Sequence, residues 1–218
     1  TAMLAACAVG FAFGDVFYYK DLTSNKLTSF SNPAAWGVGS KTDGNVDNRY
    51  PQEDDWMFIG DVYQSYFHFD MDGTTYKIKG LDYTNFKEDW GYRRFFIENG
   101  TFEISSNFTN LRAVVTCQLG GTFVIGDTCG VRWGNSGAAA SLTAENTGSI
   151  YLGGYQSMSI LQATCKAGGT FTLNPNGDFI LPTVVQQTSY FSNQGTFNMP
   201  SGVTFSGSGG VTESIVEF

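Results

Sequence analysis

A short unit recurs five times in the second half of the chain: Gly, then Thr or Ser, then Phe or Ile, then any residue, then Ile, Leu or Met. Nine-residue segments built on this unit align without gaps, with successive central glycines 21, 27, 21 and 26 residues apart. That spacing is typical of one coil of a solenoid with loop insertions and is too long for hairpin strands. The central glycines are Gly100, Gly121, Gly148, Gly169 and Gly195.

Each unit alternates its residues at period two, which indicates a β-strand, and all five run in the same chain direction. We therefore expect an all-β chain that forms a right-handed parallel β-helix, truncated at its C-terminal end; a β-sandwich is the alternative. Coils stacked about 4.8 Å apart would align like residues in columns. A first inward column would hold Phe102, Phe123, Ile150, Phe171 and Phe197. A second would hold Ile104, Ile125, Leu152, Leu173 and Met199.

Two further columns follow from the same alignment. An outward column of hydroxyl groups would hold Thr101, Thr122, Ser149, Thr170 and Thr196. A third inward column would hold Phe96, Cys117, Ala144, Cys165 and Phe191. Cys117 and Cys165 would then lie two coils and about 9–10 Å apart, beyond the roughly 7 Å Cα separation that a disulfide tolerates. We expect both to be free thiols. Cys129 lies in a loop after the second unit, and no cysteine occupies the equivalent position of another coil.

Charge and histidine content exclude several function classes. The 218 residues carry 20 acidic and 12 basic side chains, a formal net charge of -8, and no run of Lys or Arg forms a stripe. Nucleic acid is therefore not expected as a partner. A single histidine, His68, argues against most metal-hydrolase and histidine-triad chemistry, because those sites need several imidazoles or one beside a nucleophile.

Composition divides the chain near residue 98. Residues 15–98 hold 14 acidic and 9 basic residues, whereas residues 99–218 hold 6 and 3 and contain 18 of the 27 glycines. We predict a signal-peptide remnant over 1–14, a β-rich N-terminal region over 15–98 that starts or caps the solenoid, and parallel β-helix coils over 99–218. No segment keeps a helical period for more than a turn or two.

The first fourteen residues predict export. They are uncharged and end with Ala12 and Gly14 at the small-residue spacing of a signal peptidase site. Leu4 to Cys7 resembles a lipobox, which would lead instead to lipidation of Cys7, and a buried core strand is a third interpretation. The run is shorter than the roughly 20 residues that span a bilayer, so no membrane span is expected. A missing basic segment before it and an uncapped strand at the chain end both suggest a clipped chain.

The N-terminal region carries a family resemblance. Trp36 is followed by a Gly-, Asn- and Asp-rich loop and then by Pro51-Gln-Glu-Asp-Asp-Trp-Met-Phe-Ile-Gly-Asp61. This pattern, ahead of Gly-Thr-Phe coils, resembles the first segment of secreted bacterial passenger proteins of the autotransporter-adhesin type. The resemblance implies a pectate-lyase-like right-handed parallel β-helix, secretion or display on a bacterial cell surface, and an adhesive role. Surface glycans or proteins would be the partners.

Acidic and basic clusters in the first region have structural interpretations. Asp70 and Asp72, or the run from Glu53 to Asp55, could bind Ca²⁺ through carboxylate oxygens. A hairpin turn at Asp72-Gly73 and a solvated loop at Glu53–Asp55 are favoured over metal sites. The alternating stretch 66–79 that contains Asp72-Gly73 is either a hairpin or the first coils. Arg93-Arg94 follows two aromatic residues, so cation–π packing or an ion pair is expected there.

Three function classes remain. The first is a structural or adhesive passenger with no catalytic residue, no metal and no cofactor. The second is a polysaccharide-degrading enzyme, which needs carboxylates gathered on one outward face. Here Glu103 is the one acid in the outward column. Asp127 and Asp178 lie at different distances from the glycines of their coils, so they would not stack. The third is carbohydrate binding without cleavage. The candidate stacking platforms for that third class are Trp133, Tyr151 and Tyr155.

Overall fold

The computed structural model describes residues 14–20, 26–38, 48–58, 66–81, 93–106, 108–111, 113–133, 140–158, 161–174, 178–181, 189–198, 204–207 and 214–216. The β-strands are β1 (Val16–Tyr19), β2 (Leu27–Ser29), β3 (Trp36–Val38), β4 (Trp56–Phe58), β5 (Tyr66–Ile78), β6 (Gly80–Leu81), β7 (Arg93–Ile104), β8 (Phe108–Leu111), β9 (Ala113–Cys117), β10 (Gly121–Ile125), β11 (Gly130–Trp133), β12 (Ala140–Ala144), β13 (Ser149–Leu152), β14 (Tyr155–Met158), β15 (Leu161–Cys165), β16 (Thr170–Leu173), β17 (Asp178–Leu181), β18 (Ser189–Asn193), β19 (Thr196–Asn198), β20 (Thr204–Gly207) and β21 (Ser214–Val216).

The chain is all-β. Within the described ranges the helical content is one 3₁₀ turn at Pro33–Ala35, for which Asn32 Oδ1 accepts a hydrogen bond from the Ala34 N–H. None of the described residues belongs to a helix with the length and apolarity to cross a membrane. The predicted leader over 1–14 lies outside the described residues except for Gly14, and so does the lipobox ending at Cys7.

The strands form a solenoid of three parallel ladders, and each of the four coils from β9 to β20 contributes one strand to each ladder. The first ladder contains β9, β12, β15, β18 and β21; the second contains β10, β13, β16 and β19; the third contains β8, β11, β14, β17 and β20. The long strand β7 serves two ladders, since its first half pairs with β9 and its second half with β10. The five repeat units all pair in parallel, as predicted, and the antiparallel pairing of a β-sandwich does not occur between them.

Register in the second ladder confirms the first inward column. Phe123 pairs with Phe102 on one side and Ile150 on the other, and Phe171 continues the row to Phe197. The first four members are at most 1% exposed, but Phe197 is only partly buried. The prediction that all five are buried is therefore wrong for Phe197. Its strand, β19, is the last of its ladder among the described strands, which therefore cover the ring from one side.

The second inward column is confirmed as far as it is described. Ile104, Ile125, Leu152 and Leu173 are in register and fully buried. Met199 lies outside the described residues.

The third inward column differs from the prediction at both ends. Cys117, Ala144 and Cys165 stack as expected, but Ile97 precedes them and Asn193 follows them. Phe96 pairs with Thr116 and Phe191 with Ala163 instead. The number of residues between the column residue and the repeat glycine varies from coil to coil. It is three after Cys117, two after Ile97 and one after Asn193. A gap-free alignment therefore misplaces the two phenylalanines.

The three described cysteines are free and buried. Burial raises the pKa of the Cys117 thiol and, to a lesser degree, those of Cys129 and Cys165. Because the thiolate is the reactive form, we expect iodoacetamide to label none of the three in the folded protein at pH 8 and all three in denaturant. Mass spectrometry of tryptic peptides measures the labelling. Rapid labelling of Cys117 under native conditions would contradict the stacked column.

The N-terminal strands cover the start of the solenoid. They form a small sheet in the order β3, β1, β4, β6, in which only the β1–β3 pair is antiparallel. The ring of Tyr19 packs edge-on against Phe67 and Phe69 of β5, at centroid distances of 5.3 and 5.0 Å. The fully buried Trp36 donates its indole N–H to Phe30 O at 3.0 Å. These contacts join the small sheet to the core of the first coil.

Strand β5 replaces the hairpin expected at Asp72-Gly73. It runs in parallel with β7 on both sides of this dipeptide, so the chain turns a corner of the solenoid there instead of reversing. Both residues have positive φ, 52° and 67°, which accommodates the extra residues at the bulge. Strand β5 also adds Tyr76 and Ile78 to the first and second inward columns.

Candidate functional site

The outward face of the second ladder carries two regular columns of mostly polar side chains, and we call it the hydroxyl face. One column is all Thr and Ser, and the other is mixed. The first column contains Thr75, Thr101, Thr122, Ser149, Thr170 and Thr196. The second contains Lys77, Glu103, Val124, Tyr151, Thr172 and Asn198. Six strands at about 4.8 Å spacing give the face a length of about 24 Å.

The chemistry of this face is that of hydroxyl groups in a row. Each Thr or Ser hydroxyl offers one donor and two acceptor positions at the spacing of the strands. At one end of the mixed column, Lys77 Nζ pairs with Glu53 at 2.8 Å and with Glu103 at 3.6 Å. At the other end, Asn198 Nδ2 donates to Thr172 Oγ1 at 3.1 Å. A flat, regular set of donors and acceptors of this kind suits a repeating polar surface or polymer.

One tyrosine on the face is held by residues from two other coils. The Tyr151 hydroxyl donates to Asp127 Oδ1 at 2.6 Å, and Asn174 Nδ2 donates to the same oxygen at 2.7 Å. Asn174 is 6% exposed, whereas Asp127 is exposed. Gly153 lies between them, and a β-carbon there would come within 2.7 Å of Asp127 Oδ1. The glycine therefore leaves the room in which three successive coils are tied together.

This arrangement raises the pKa of Tyr151 to about 12, through partial burial first and then through the hydrogen bond and charge of Asp127. The folded protein thus keeps the phenol proton more tightly than the unfolded chain, whose tyrosines ionise near pH 10. The resulting stabilisation is fully present below pH 10 and is lost as the pH rises through 12.

We expect Asp127→Asn to lower the pKa of Tyr151 toward, but not fully to, the ordinary value of 10, since burial remains. The measurement is a pH titration of ¹³C-labelled tyrosine by NMR, with the Tyr151→Phe spectrum identifying the resonance. Glu145→Gln, which removes an acid that pairs with Lys166 at another corner, is the control and leaves the pKa of Tyr151 unchanged. An unchanged value in Asp127→Asn would contradict the contact.

The three candidate stacking residues lie on three strands in two ladders. Tyr151 lies on β13 in the second ladder, whereas Trp133 and Tyr155 lie on β11 and β14 in the third. Tyr155 pairs with Gly130 and Trp133 with Met158, so the two are not cross-strand neighbours. Their side chains lie outside what the structure describes, as do those of Arg93 and Arg94. Of the three, Tyr151 is the one placed on the hydroxyl face.

The single histidine lies on the outward side of the first ladder. His68 Nδ1 lies 2.7 Å from Glu98 Oε1, and its ring stacks on Phe96 at 4.2 Å. Gln118 Nε2 donates to the same Glu98 oxygen at 2.8 Å. These contacts join three consecutive coils. In the described part of the chain, no group of three or more His, Cys, Asp or Glu side chains is placed to hold a metal ion.

The loop at Glu53–Asp55 is not the solvated segment that its charge suggested. Glu53 and Asp54 are exposed, but Asp55 is 3% exposed and is bound on both carboxylate oxygens. Arg49 makes a bidentate ion pair with it and also contacts Asp15 Oδ2 at 2.5 Å. Ion pairing and hydrogen bonding with Asp55 raise the pKa of Arg49.

Sequence reasoning missed Asn174 and Arg49. A signal exists for the first, because Asn174 follows the column residue Leu173 at the corner position that Gly126 and Gly153 hold in other coils. For Arg49, which lies far along the chain from Asp15, we see no signal in the sequence.

Comparisons with known proteins identify no relative. No protein-family model matches the chain. No curated protein and no solved structure matches it either.

Proposed function

We propose that this chain is an exported, non-catalytic surface protein of the adhesive-passenger type, trimmed after Gly14, whose solenoid is a right-handed parallel β-helix. The observation that carries the proposal is the hydroxyl face, because six strands in exact register hold Thr or Ser at one position. A core of this regularity gives a stiff scaffold, and the face gives a surface for a partner. Right-handedness is supported by the strong preference of parallel crossover connections for that hand.

Surface glycans are the partners that best fit the face. Sugar hydroxyl groups pair with Thr and Ser hydroxyl groups as both donors and acceptors. Tyr151 adds an aromatic ring, fixed by Asp127, on which a sugar ring can stack. The second candidate function is therefore that of a carbohydrate-binding protein that does not cleave its ligand, and the Tyr151 ring is the observation that favours it.

The test is retention of the purified chain on immobilised neutral and acidic polysaccharides, with and without Ca²⁺. We expect retention, with no release of reducing or unsaturated ends. The double variant Thr122→Val and Thr170→Val removes two hydroxyl groups from the face while keeping side-chain shape, and we expect it to weaken retention about tenfold, since each lost hydrogen bond costs about 0.5–1.5 kcal/mol.

A matched control is Thr143→Val and Thr164→Val, which removes two hydroxyl groups that are cross-strand neighbours on the first ladder. Equal weakening by both double variants would contradict the role of the hydroxyl face. Release of sugar ends that disappears on replacing Glu103, Asp127 or Asp178 would show an enzyme instead.

A further inference from the structure

The backbone nitrogen at the proposed trimming site already binds a buried carboxylate. Asp15 N donates to Asp55 Oδ1 at 2.9 Å, and Asp55 is 3% exposed. The carbonyl group of Asp15 is also fixed, because Trp56 N donates to Asp15 O at 2.8 Å. This hydrogen bond lies where β1 begins to pair with β4. The Asp15 amide is thus held at the end of a parallel strand pair.

The charges around this nitrogen favour a positive group. Asp15, Asp55, Glu53 and Asp54 line one open cleft, and Arg49 is the single cation among the described residues that line it. The side chain of Arg49 is 30% exposed and pairs with both Asp15 and Asp55, and Lys77 pairs with Glu53. Two carboxylates therefore share one guanidinium, so the described groups beside the Asp15 nitrogen carry more negative than positive charge.

Gly14 shows that the chain is tightly confined just before this point. A β-carbon at residue 14 would come within 1.4 Å of Asp54 O and 2.9 Å of Asp55 N. Only glycine fits between Asp15 and the Asp54 carbonyl. A small residue at this position is also what a signal peptidase requires before the bond that it cuts.

We propose that hydrolysis of the Gly14–Asp15 peptide bond creates an α-ammonium group on Asp15 that binds the buried Asp55 carboxylate and fixes β1 against β4. An endoprotease of the signal-peptidase class supplies the catalysis. Water adds across the C–N bond, so that the Gly14 carbonyl becomes a carboxylic acid and the Asp15 nitrogen becomes an amine. The amine takes up the proton that the acid releases, which gives a carboxylate and an ammonium. The inference rests on the export part of the proposed function.

The new group would be a stronger partner than the amide it replaces. An ammonium offers three N–H donors and a full positive charge, whereas the amide offers one N–H. Hydrogen bonds between charged groups are roughly twice as strong as neutral ones, and Asp55 is screened from solvent. Trimming would therefore stabilise the fold by completing the ion cluster of Asp15, Arg49 and Asp55.

The test compares three proteins: the full 218-residue chain, a chain beginning at Asp15 and a chain beginning at Gly14. The two shorter chains are released from a fused domain by a protease that leaves no extra residue. They differ by one glycine, which moves the ammonium away from Asp55. At pH 6 and low salt, we expect the chain that begins at Asp15 to melt at least about 3 °C above the chain that begins at Gly14.

Two substitutions test whether Asp55 causes the difference in melting temperature. Asp55→Asn should abolish the difference in melting temperature between the two starts, whereas Asp54→Asn, which removes an exposed carboxylate of the same cleft, should preserve it. If Asp55→Asn prevents folding, acylation of the α-amine near neutral pH replaces it as the measurement. We expect the amine of Asp15 to react at least tenfold more slowly in the folded chain than the amine of Gly14.

Equal melting temperatures and equal amine reactivities would overturn the inference. So would a chain that begins at Asp15 and fails to fold while the full chain folds. Because the cut is made in vitro, either result leaves the proposed glycan-binding function untouched. Conversely, loss of polysaccharide retention in the hydroxyl-face variants does not bear on the Asp15 amine.

Discussion

Truncation of Phe123 to alanine is expected to lower the free energy of unfolding by about 3–5 kcal/mol, the range for emptying an aromatic core site. Phe123 is completely buried and sits between Phe102 and Ile150 in the first inward column, with its ring stacked 6.2 Å from that of Phe102. A cavity here is bounded by stacked strands that cannot collapse without losing their own pairing. Urea unfolding followed by circular dichroism measures the loss.

Phe197→Ala is the matched control for this prediction. It lies in the same column and stacks 5.6 Å from Phe171, but it is only partly buried. Its truncation should cost less than half as much as that of Phe123. Equal losses at the two positions would show that burial within the column does not decide stability.

The second large effect is expected from Gly121→Ala. A β-carbon at Gly121 would come within 1.8 Å of the Ile97 carbonyl oxygen in the preceding coil. Both atoms belong to the backbone or are fixed to it, so the strands must separate, and we expect a loss of about 3 kcal/mol or more. Thermal unfolding and tryptophan fluorescence would report the change.

The neighbouring glycine provides the control. Gly120 has φ of +79°, and a β-carbon there would meet nothing within 4 Å. Gly120→Ala therefore carries only the cost of an alanine in a left-handed conformation, about 1–2 kcal/mol. A larger loss at Gly120 than at Gly121 would mean that backbone conformation, and not crowding between coils, selects glycine in the repeat.

The repeat predicted the second ladder well because the same contacts recur in each coil. Its central glycine permits a close approach between coils at three positions, whereas Gly100 also has a positive φ of 131°. Gly121, Gly148 and Gly169 do not have positive φ; each packs against the carbonyl of a residue in the preceding coil. A sequence pattern shows that glycine is required but does not distinguish a bend from a close approach.

The parts that sequence could not predict depend on corner lengths and distant contacts. Phe96 and Phe191 were placed in the third column because strand alternation was extended across a corner of variable length. The hydroxyl column, in contrast, lies within continuous strands, and its members were predicted correctly. Asp55 is buried because Asp15 and Arg49, which belong to separate segments of the chain, both bind it. No local sequence pattern predicts these contacts.

The register of the ladders also determines how a chain of this kind can change its length. Ser149 pairs in register with Thr170, so the two residues occupy equivalent places in successive coils. Removing residues 149–169 would join Gly148 to Thr170, set Phe171 directly on Phe123 and bring β17 beside β11. Each column of stacked side chains would remain continuous and would contain one residue fewer. Duplication of the same segment would lengthen the rod by one step of about 4.8 Å, so gain or loss of whole turns is far less disruptive to this architecture than a deletion of two or three residues within one.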